Sequence, residues 1–220
     1  MAADAKHIGI LLFDDVEELD AIGPWEVLSS WARRFPEDGY AVSCLSKAGG
    51  LVRCANGLVV QAHYSYVDAP PLEVLLYPGG NGTRPHLRDD AQLEWVRRQR
   101  AAVPLMTSVC TGSLVYAAAG LLSGSRATTH WASLDDLAEL DRTIDVRRDD
   151  RFVDDGVVTS AGISAGIAWR CTSLLGWRAS TGHAKCDARS STTRHRRSKQ
   201  PAATSACPAP RSPTAHNARQ

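Results

Sequence analysis

The chain has 220 residues and a mass of 23.7 kDa, with 44% hydrophobic and 22% charged residues. These proportions exclude gross disorder, collagen and coiled coil as descriptions of the whole chain, and the length fits one domain or little more. The net charge of +1 hides a seam: residues 1–167 carry 15 Lys and Arg against 23 Asp and Glu, whereas residues 168–220 carry 10 against the single acid Asp187. Every Phe and Tyr lies before the seam, the last being Phe152. An acidic globular body, 1–167, is therefore joined to a basic tail, 168–220, that is poor in core formers.

The opening MAADAKHIGILLFDD has an apolar core too short, and too soon acidic, for a secretion signal. The longest apolar run, Ala101 to Leu122, is broken by Pro104, Thr107, Ser108, Thr111, Gly112, Ser113 and Gly120, which argues against a membrane span. The cytoplasm is the expected compartment. Cys44, Cys54, Cys110, Cys171, Cys186 and Cys207 form no CxxC pair, so neither a disulfide framework nor a zinc site is expected.

In chain order, His7 to Phe13 is a continuous apolar run that suits a strand covered on both faces. The acidic stretch Asp14 to Asp20 and the pair Gly23-Pro24 precede a helix carrying Trp25, Val27, Leu28 and Trp31. Tyr40 to Leu45 reads as a strand, and Leu51 to His63 as a hairpin turning at Asn56-Gly57. Leu72 to Tyr77 is a buried strand ending in Pro78-Gly79-Gly80-Asn81-Gly82. Asp89 to Arg100 is an amphipathic helix, Val103 to Ser108 a strand, and Thr111 to Leu121 an Ala-rich helix. Trp131 to Leu140 is helical, and Phe152 to Ser160 turns around Asp154-Asp155-Gly156. Alternating strand and helix patterns predict an α/β fold with a mainly parallel sheet and helices on both faces.

The segment VPLMTSVCTGSLVYAAAGLL carries the most chemistry. A strand stops, Cys110 follows, and a helix begins at once, which is the logic of a nucleophile elbow with Cys in place of Ser. Ser108 and Gly112 leave room for the tight turn, and the following helix is expected to favour the thiolate and depress the thiol pKa. A buried Cys opening a core helix is the plain alternative. The turn at Gly79-Gly80 ends the neighbouring strand at the same sheet edge, where ligands gather, and its amides could stabilise negative charge; a simple turn is the other reading. Most of the acids Asp14, Asp15, Glu17, Glu18 and Asp20 should form a solvated face. Asp20, however, sits among Leu19, Ala21, Ile22, Gly23 and Pro24, where burial would raise its pKa and fit it to move protons beside Cys110. His130, in RATTHW, is a further polar candidate that could equally be structural.

Four stretches together, GILLFDDVEELDAIGPWEVL, LLYPGGNGT, SVCTGSLVYAAAGLLSGSRATTHW and DDGVVTSAGISAGI, resemble the ThiJ/PfpI superfamily of class I glutamine amidotransferase-like proteins. The resemblance covers residues 7–167 and looks strongest toward the isonitrile hydratases. It implies a flavodoxin-like sandwich, commonly homodimeric, with no metal or organic cofactor and a small-molecule substrate. It places the nucleophile on Cys110, an assisting hydroxyl on Thr111, the acid on Asp20 and the oxyanion-binding amides on Gly80 and Thr111, beside Gly79. The protease-like branch has His directly after its Cys, where this chain has Thr111, which weakens a peptidase reading. The implied reaction hydrates an isonitrile to an N-substituted formamide. Two alternatives are a ligand-sensing domain of the kind carried by AraC-type regulators and a glyoxalase- or deglycase-like activity.

In that family GISAGI is followed by Asp and an amphipathic helix, whereas here Ile167 leads into AWRCTSLLGWRASTGHAKC, which has no helical period. Codons for Ala168 to Arg178 exist whose offset frame reads Met-Ala-Leu-His-Leu-Val-Ala-Arg-Leu-Ala, and one added base restores the Asp. The same offset turns Ala188 to Gln200 into Glu-Ile-Glu-Tyr-Asp-Pro-Pro-Pro-Pro-Phe-Glu-Ala. A reading-frame shift at residue 168 is thus the expectation for the tail, with a solvated, disordered basic segment as the alternative; a shift would cost the body a helix that covers one face of its sheet, and with it folding and activity. A nucleic-acid-binding arm built on Arg194, His195, Arg196, Arg197 and Lys199 is disfavoured by the scarcity of aromatic residues beside them.

Overall fold

The computed structural model describes residues 5–162, all within one compact unit. The basic tail and the frame shift expected there lie outside the described residues. Strand β1 (Lys6–Leu11) leads into α1 (Glu18–Arg34), a 3₁₀ turn (Pro36–Asp38) and β2 (Tyr40–Ser46). The short strands β3 (Gly50–Arg53), β4 (Val59–Ala62) and β5 (Tyr64–Ser65) follow. Then come β6 (Leu72–Tyr77), α2 (Thr83–His86), α3 (Asp90–Ala102), β7 (Leu105–Val109) and α4 (Gly112–Ala118). Strand β8 (Arg126–Ala127), a 3₁₀ turn (Trp131–Ser133), α5 (Leu134–Leu140), β9 (Asp145–Val146), β10 (Phe152–Asp154) and β11 (Val158–Ser160) complete the described chain.

Seven strands form one sheet in the order β10-β11-β7-β6-β1-β2-β5. Every neighbouring pair is parallel except β10 with β11. The continuous apolar runs sit at its centre, where both faces are covered: Ile8, Ile10, Leu11, Leu75, Leu76, Tyr77 and Met106 are all buried. Burying each such side chain contributes about 1.5–3 kcal/mol. Gly9 is small for a packing reason, since a Cβ there would lie 2.8 Å from a methyl of both Leu45 and Leu72.

Helix α1 starts earlier than the pattern around Trp25 predicts. It begins at Glu18 and encloses Pro24, whose missing N–H forfeits one backbone bond and costs about 3 kcal/mol in an isolated helix. Tertiary packing decides otherwise. Asp20, Ala21, Pro24 and Leu28 are the buried positions of α1, spaced along one face, and the helix packs on β1 and β2. Helix α4 is shorter than expected, ending at Ala118. Gly120 adopts φ +81°, and the Leu121 N–H reaches back to the Tyr116 carbonyl at 2.9 Å, a glycine-terminated cap. The stretch expected as one helix from Trp131 divides into the 3₁₀ turn and α5.

Strands β3 and β4 pair antiparallel outside the main sheet, with Leu51 opposite Gln61 and Arg53 opposite Val59. Asn56-Gly57 lies in their connection, where Gly57 takes φ +94° and the Cys54 N–H donates to the Leu58 carbonyl at 2.8 Å. This hairpin grips the loop between β1 and α1. Asp15 N–H donates to the Arg53 carbonyl (2.9 Å), and Ala55 N–H to that of Val16 (2.9 Å). Arg53 N–H donates to Asp14 Oδ1 at 3.2 Å. Glu18 accepts two bonds from Asn56, from its backbone N–H at 2.6 Å and its amide Nδ2 at 2.7 Å. Among the described residues, no helix is long and apolar enough to cross a membrane.

Candidate active site

The carboxyl ends of β1, β6 and β7 converge on Cys110, the residue between β7 and the opening of α4. Cys110 has φ +56°, a left-handed conformation that non-glycine residues seldom adopt and that marks a strained, over-determined position. Three contacts hold it there. Its N–H donates to the Ser160 carbonyl at 2.9 Å, while its own carbonyl accepts from Thr129 Oγ1 at 3.0 Å and Ser113 Oγ at 3.2 Å. The turn is possible because Gly112 has no side chain: a Cβ there would stand 2.2 Å from the Tyr77 carbonyl oxygen.

Helix α1 delivers Asp20 to the same place. The residue is fully buried, and the Gly79 N–H donates to its Oδ2 at 3.1 Å. A Cβ on Gly79 would lie 2.7 Å from both Asp20 Oδ2 and Cys110 Cβ. The two side chains therefore meet over a glycine that only its bare Cα permits. Burial pushes the Asp20 carboxyl up to about 6, despite the opposing hydrogen bonds from the Cys110 thiol and the Gly79 amide. Its Oδ1 has no hydrogen-bond partner among the described residues, a setting that suits a proton.

The thiol corrects one expectation. Cys110 is pushed up to about 12, first by burial and next by the neighbouring Asp20 charge. Both outweigh the Thr111 amide and hydroxyl, which favour the thiolate. A seven-residue helix does not overcome these two effects. Negative charge at rest therefore belongs on the carboxylate rather than on the sulfur.

The glycine amides are not open to a ligand in the way expected. Gly79 N–H is committed to Asp20, and Gly80 N–H donates to Thr111 Oγ1 at 3.0 Å. Gly80 takes φ +117°, and a Cβ on it would lie 2.4 Å from the Glu17 nitrogen. The turn after β6 thus locks onto the β1–α1 loop. The structure brings together Asp20, Gly79, Gly80, Cys110 and Thr111. It gives His130 different work: its Nδ1 accepts from Ala132 N–H at 3.4 Å at the head of the 3₁₀ turn, and its ring packs on Trp131. Sequence reasoning missed Thr83 and Thr129. Thr83 ends the glycine turn, three residues after Gly80, and Thr129 precedes His130; both are buried. A hydroxyl at the close of a glycine-rich turn was the available signal for Thr83.

With this geometry, the class is plain. The DJ-1/PfpI family profile matches residues 6–174, and the chain belongs to that family. It is 43% identical over 169 residues to the isonitrile hydratase of Pseudomonas putida, spanning 76% of this chain and 70% of the relative. It is 31% identical over 140 residues to the HTH-type transcriptional regulator CdhR of Pseudomonas aeruginosa, spanning 62% of this chain and 40% of the regulator. A solved ThiJ/PfpI family protein from Pseudomonas syringae superposes with a TM-score of 0.69 at 29% identity, covering 79% of this chain and 69% of its own.

Proposed function

We propose that the protein is a cysteine-dependent hydratase that acts in the cytoplasm on a small molecule, converting an isonitrile to an N-substituted formamide. One observation carries the reading: a fully buried carboxyl, raised toward neutrality, is held by Gly79 against the Cys110 thiol. Similarity to the Pseudomonas putida isonitrile hydratase supports it.

The chemistry follows from the pair. Asp20 takes the Cys110 proton as the sulfur bonds to the terminal carbon of R–NC. The same proton then passes to that carbon, leaving the thioimidate R–N=CH–S–Cys110 and an ionised Asp20. The carboxylate draws a proton from water as its oxygen adds to the carbon, and that proton is passed to nitrogen. Breaking the C–S bond, with loss of the hydroxyl proton to sulfur, releases R–NH–CHO and restores the thiol. One water is consumed, and no electrons change hands.

The test is formamide production from cyclohexyl isocyanide by the purified protein, with methylglyoxal as the competing substrate. Turnover of the isocyanide that disappears in Cys110→Ala supports the reading, and undiminished turnover in that variant removes the thiol from it. Turnover of methylglyoxal alone supports a deglycase- or glyoxalase-like enzyme. Tight binding of a small molecule without turnover supports a sensor domain, the reading that similarity to CdhR favours. The family resemblance further implies a homodimer, which light scattering of the purified protein measures.

A further inference from the structure

A cleft of about 410 Å³ opens at the carboxyl edge of the sheet, with neither Asp20 nor Cys110 in its lining. The chain leaves β1 for β2 on one side, while β6 pairs with β1 on the other. The cleft therefore stands at the strand about which the order reverses, where open α/β sheets receive ligands. Asn81 and Gly82 line it, in the same turn as Gly79 and Gly80, whose amides are committed to Asp20 and Thr111. Leu12, Phe13 and Leu51 supply apolar walls, and the volume is that of a small-molecule site.

The polar lining is directional. Tyr77 is fully buried, and its hydroxyl has one proton to give. Gln92 Nε2 donates to that oxygen at 3.1 Å, and His86 Nδ1 lies 2.7 Å from it, so the Tyr77 proton goes to Nδ1. Burial holds His86 below its ordinary pKa and keeps the ring neutral. Its own proton is then on Nε2, which has no hydrogen-bond partner among the described residues. Gln92 Nε2 also donates to the Tyr66 hydroxyl at 3.2 Å, leaving that hydroxyl's proton to give. Ser46 adds a buried hydroxyl without a partner, the mark of a wall that a polar group completes. His86, Tyr66 and Ser46 all line the cleft, and together they suit an acceptor. Charge at the rim has the opposite sense. Lys47 is neutralised by Asp89 at 3.2 Å, while Asp14 and Asp15 line the cleft with no cation paired to either among the described residues.

We propose that this cleft binds a small organic cation, an amine that also carries a neutral carbonyl: its ammonium group faces Asp14 and Asp15, its carbonyl accepts from His86 Nε2 and the neighbouring hydroxyls, and its apolar body lies on Phe13 and Leu51. The site is separate from the proposed hydratase chemistry and does not depend on it.

The probe is L-phenylalaninamide, which combines the three features, titrated into the full chain by calorimetry beside 3-phenylpropanoate, an anion with the same ring. The amide is expected to bind and the anion is not. Asp15 has φ +60°, a conformation that Asn tolerates, and Asp15→Asn is expected to weaken the amide roughly tenfold, the worth of one charge-assisted hydrogen bond. His86→Leu removes the Nε2 donor and is expected to weaken it similarly. His86→Gln keeps an acceptor for Tyr77 and a donor for the cleft, and is expected to restore most of the affinity. Failure of the amide to bind the wild type overturns the proposal, as does tighter binding of 3-phenylpropanoate. Affinity unchanged in both Asp15→Asn and His86→Leu overturns it as well, because the amide then sits elsewhere. Should His86→Leu fail to fold, the exposed Asp15→Asn decides. Isonitrile turnover plays no part in the readout, so failure of either reading leaves the other standing.

Discussion

The Asp20 carboxyl and the Cys110 thiol meet above the bare Cα of Gly79, whose amide donates to Asp20 Oδ2 at 3.1 Å and whose absent side chain leaves both groups room. Burial raises the proton affinity of both; the Asp20 charge raises that of the thiol further, whereas the thiol's hydrogen bond lowers that of the carboxyl. In the reaction we propose, this pair holds one negative charge and moves it between oxygen and sulfur.

The first consequence is a pH dependence of activity. In the proposed reaction the carboxylate must be ionised to accept the Cys110 proton, and burial sets that ionisation at about 6. Isocyanide turnover is expected to rise through about pH 6 in the wild type. Asp20→Asn is expected to lose turnover by roughly a hundredfold or more and to lose that acid limb. A rate profile in Asp20→Asn that keeps the same limb assigns it to another group.

The same carboxyl predicts a stability trend. Its folded-state pKa, about 6, lies above the ordinary 3.8, so between these values the folded chain binds more protons than the unfolded one. Stability is then greatest below about pH 4 for this group and falls by up to about 3 kcal/mol as pH rises through 6. Thermal melts of wild type and Asp20→Asn from pH 4 to 7 are expected to differ in slope, with the variant flatter. Parallel curves count against a buried carboxyl.

Gly79→Ala tests the close approach. Its methyl would stand 2.7 Å from Asp20 Oδ2, from Cys110 Cβ and from the Thr111 nitrogen, and the last is backbone that cannot rotate away. Displacement by about 1 Å costs on the order of a hundredfold in rate, with overpacking adding about 1–3 kcal/mol of destabilisation. Wild-type turnover in this variant would show that the turn is loose.

Strain at Cys110 is checked by comparing Cys110→Gly with Cys110→Ala, both of which lack the thiol. At φ +56° alanine keeps the conformational penalty and glycine relieves it, by about 1 kcal/mol. The glycine variant is expected to melt roughly 2–4 °C higher. The reverse order means that the elbow relaxes when the thiol is removed.

The hairpin grip is tested at Glu18, which accepts from Asn56 at 2.6 and 2.7 Å. Glu18→Ala leaves both donors without their carboxylate and is expected to lower stability by about 1 kcal/mol. Turnover should fall as well, because the β1–α1 loop leads directly to Asp20.

For residues 168–220 we propose a shifted reading frame, checked on the gene itself. One additional base at codon 168, found by resequencing, would restore the helical pattern after Ile167, and an intact frame through that codon removes the idea.

Local pattern made much of this molecule legible. The apolar runs at His7 and Leu72 are buried strands because a sheet covered on both faces demands continuous hydrophobicity, and the abrupt strand-to-helix change at Cys110 marks an elbow whatever surrounds it. The glycines after Tyr77 announced a backbone too crowded for side chains. Tertiary structure alone decided where protons and amides go. Helix α1 runs back through Glu18 because the face carrying Asp20, Ala21, Pro24 and Leu28 is buried as the helix packs on β1 and β2, the Gly79 and Gly80 N–H groups are taken by Asp20 and Thr111, and His130 props a turn. The thiol is raised rather than lowered because proton affinity depends on burial and on charges from distant segments, which no stretch of sequence carries by itself.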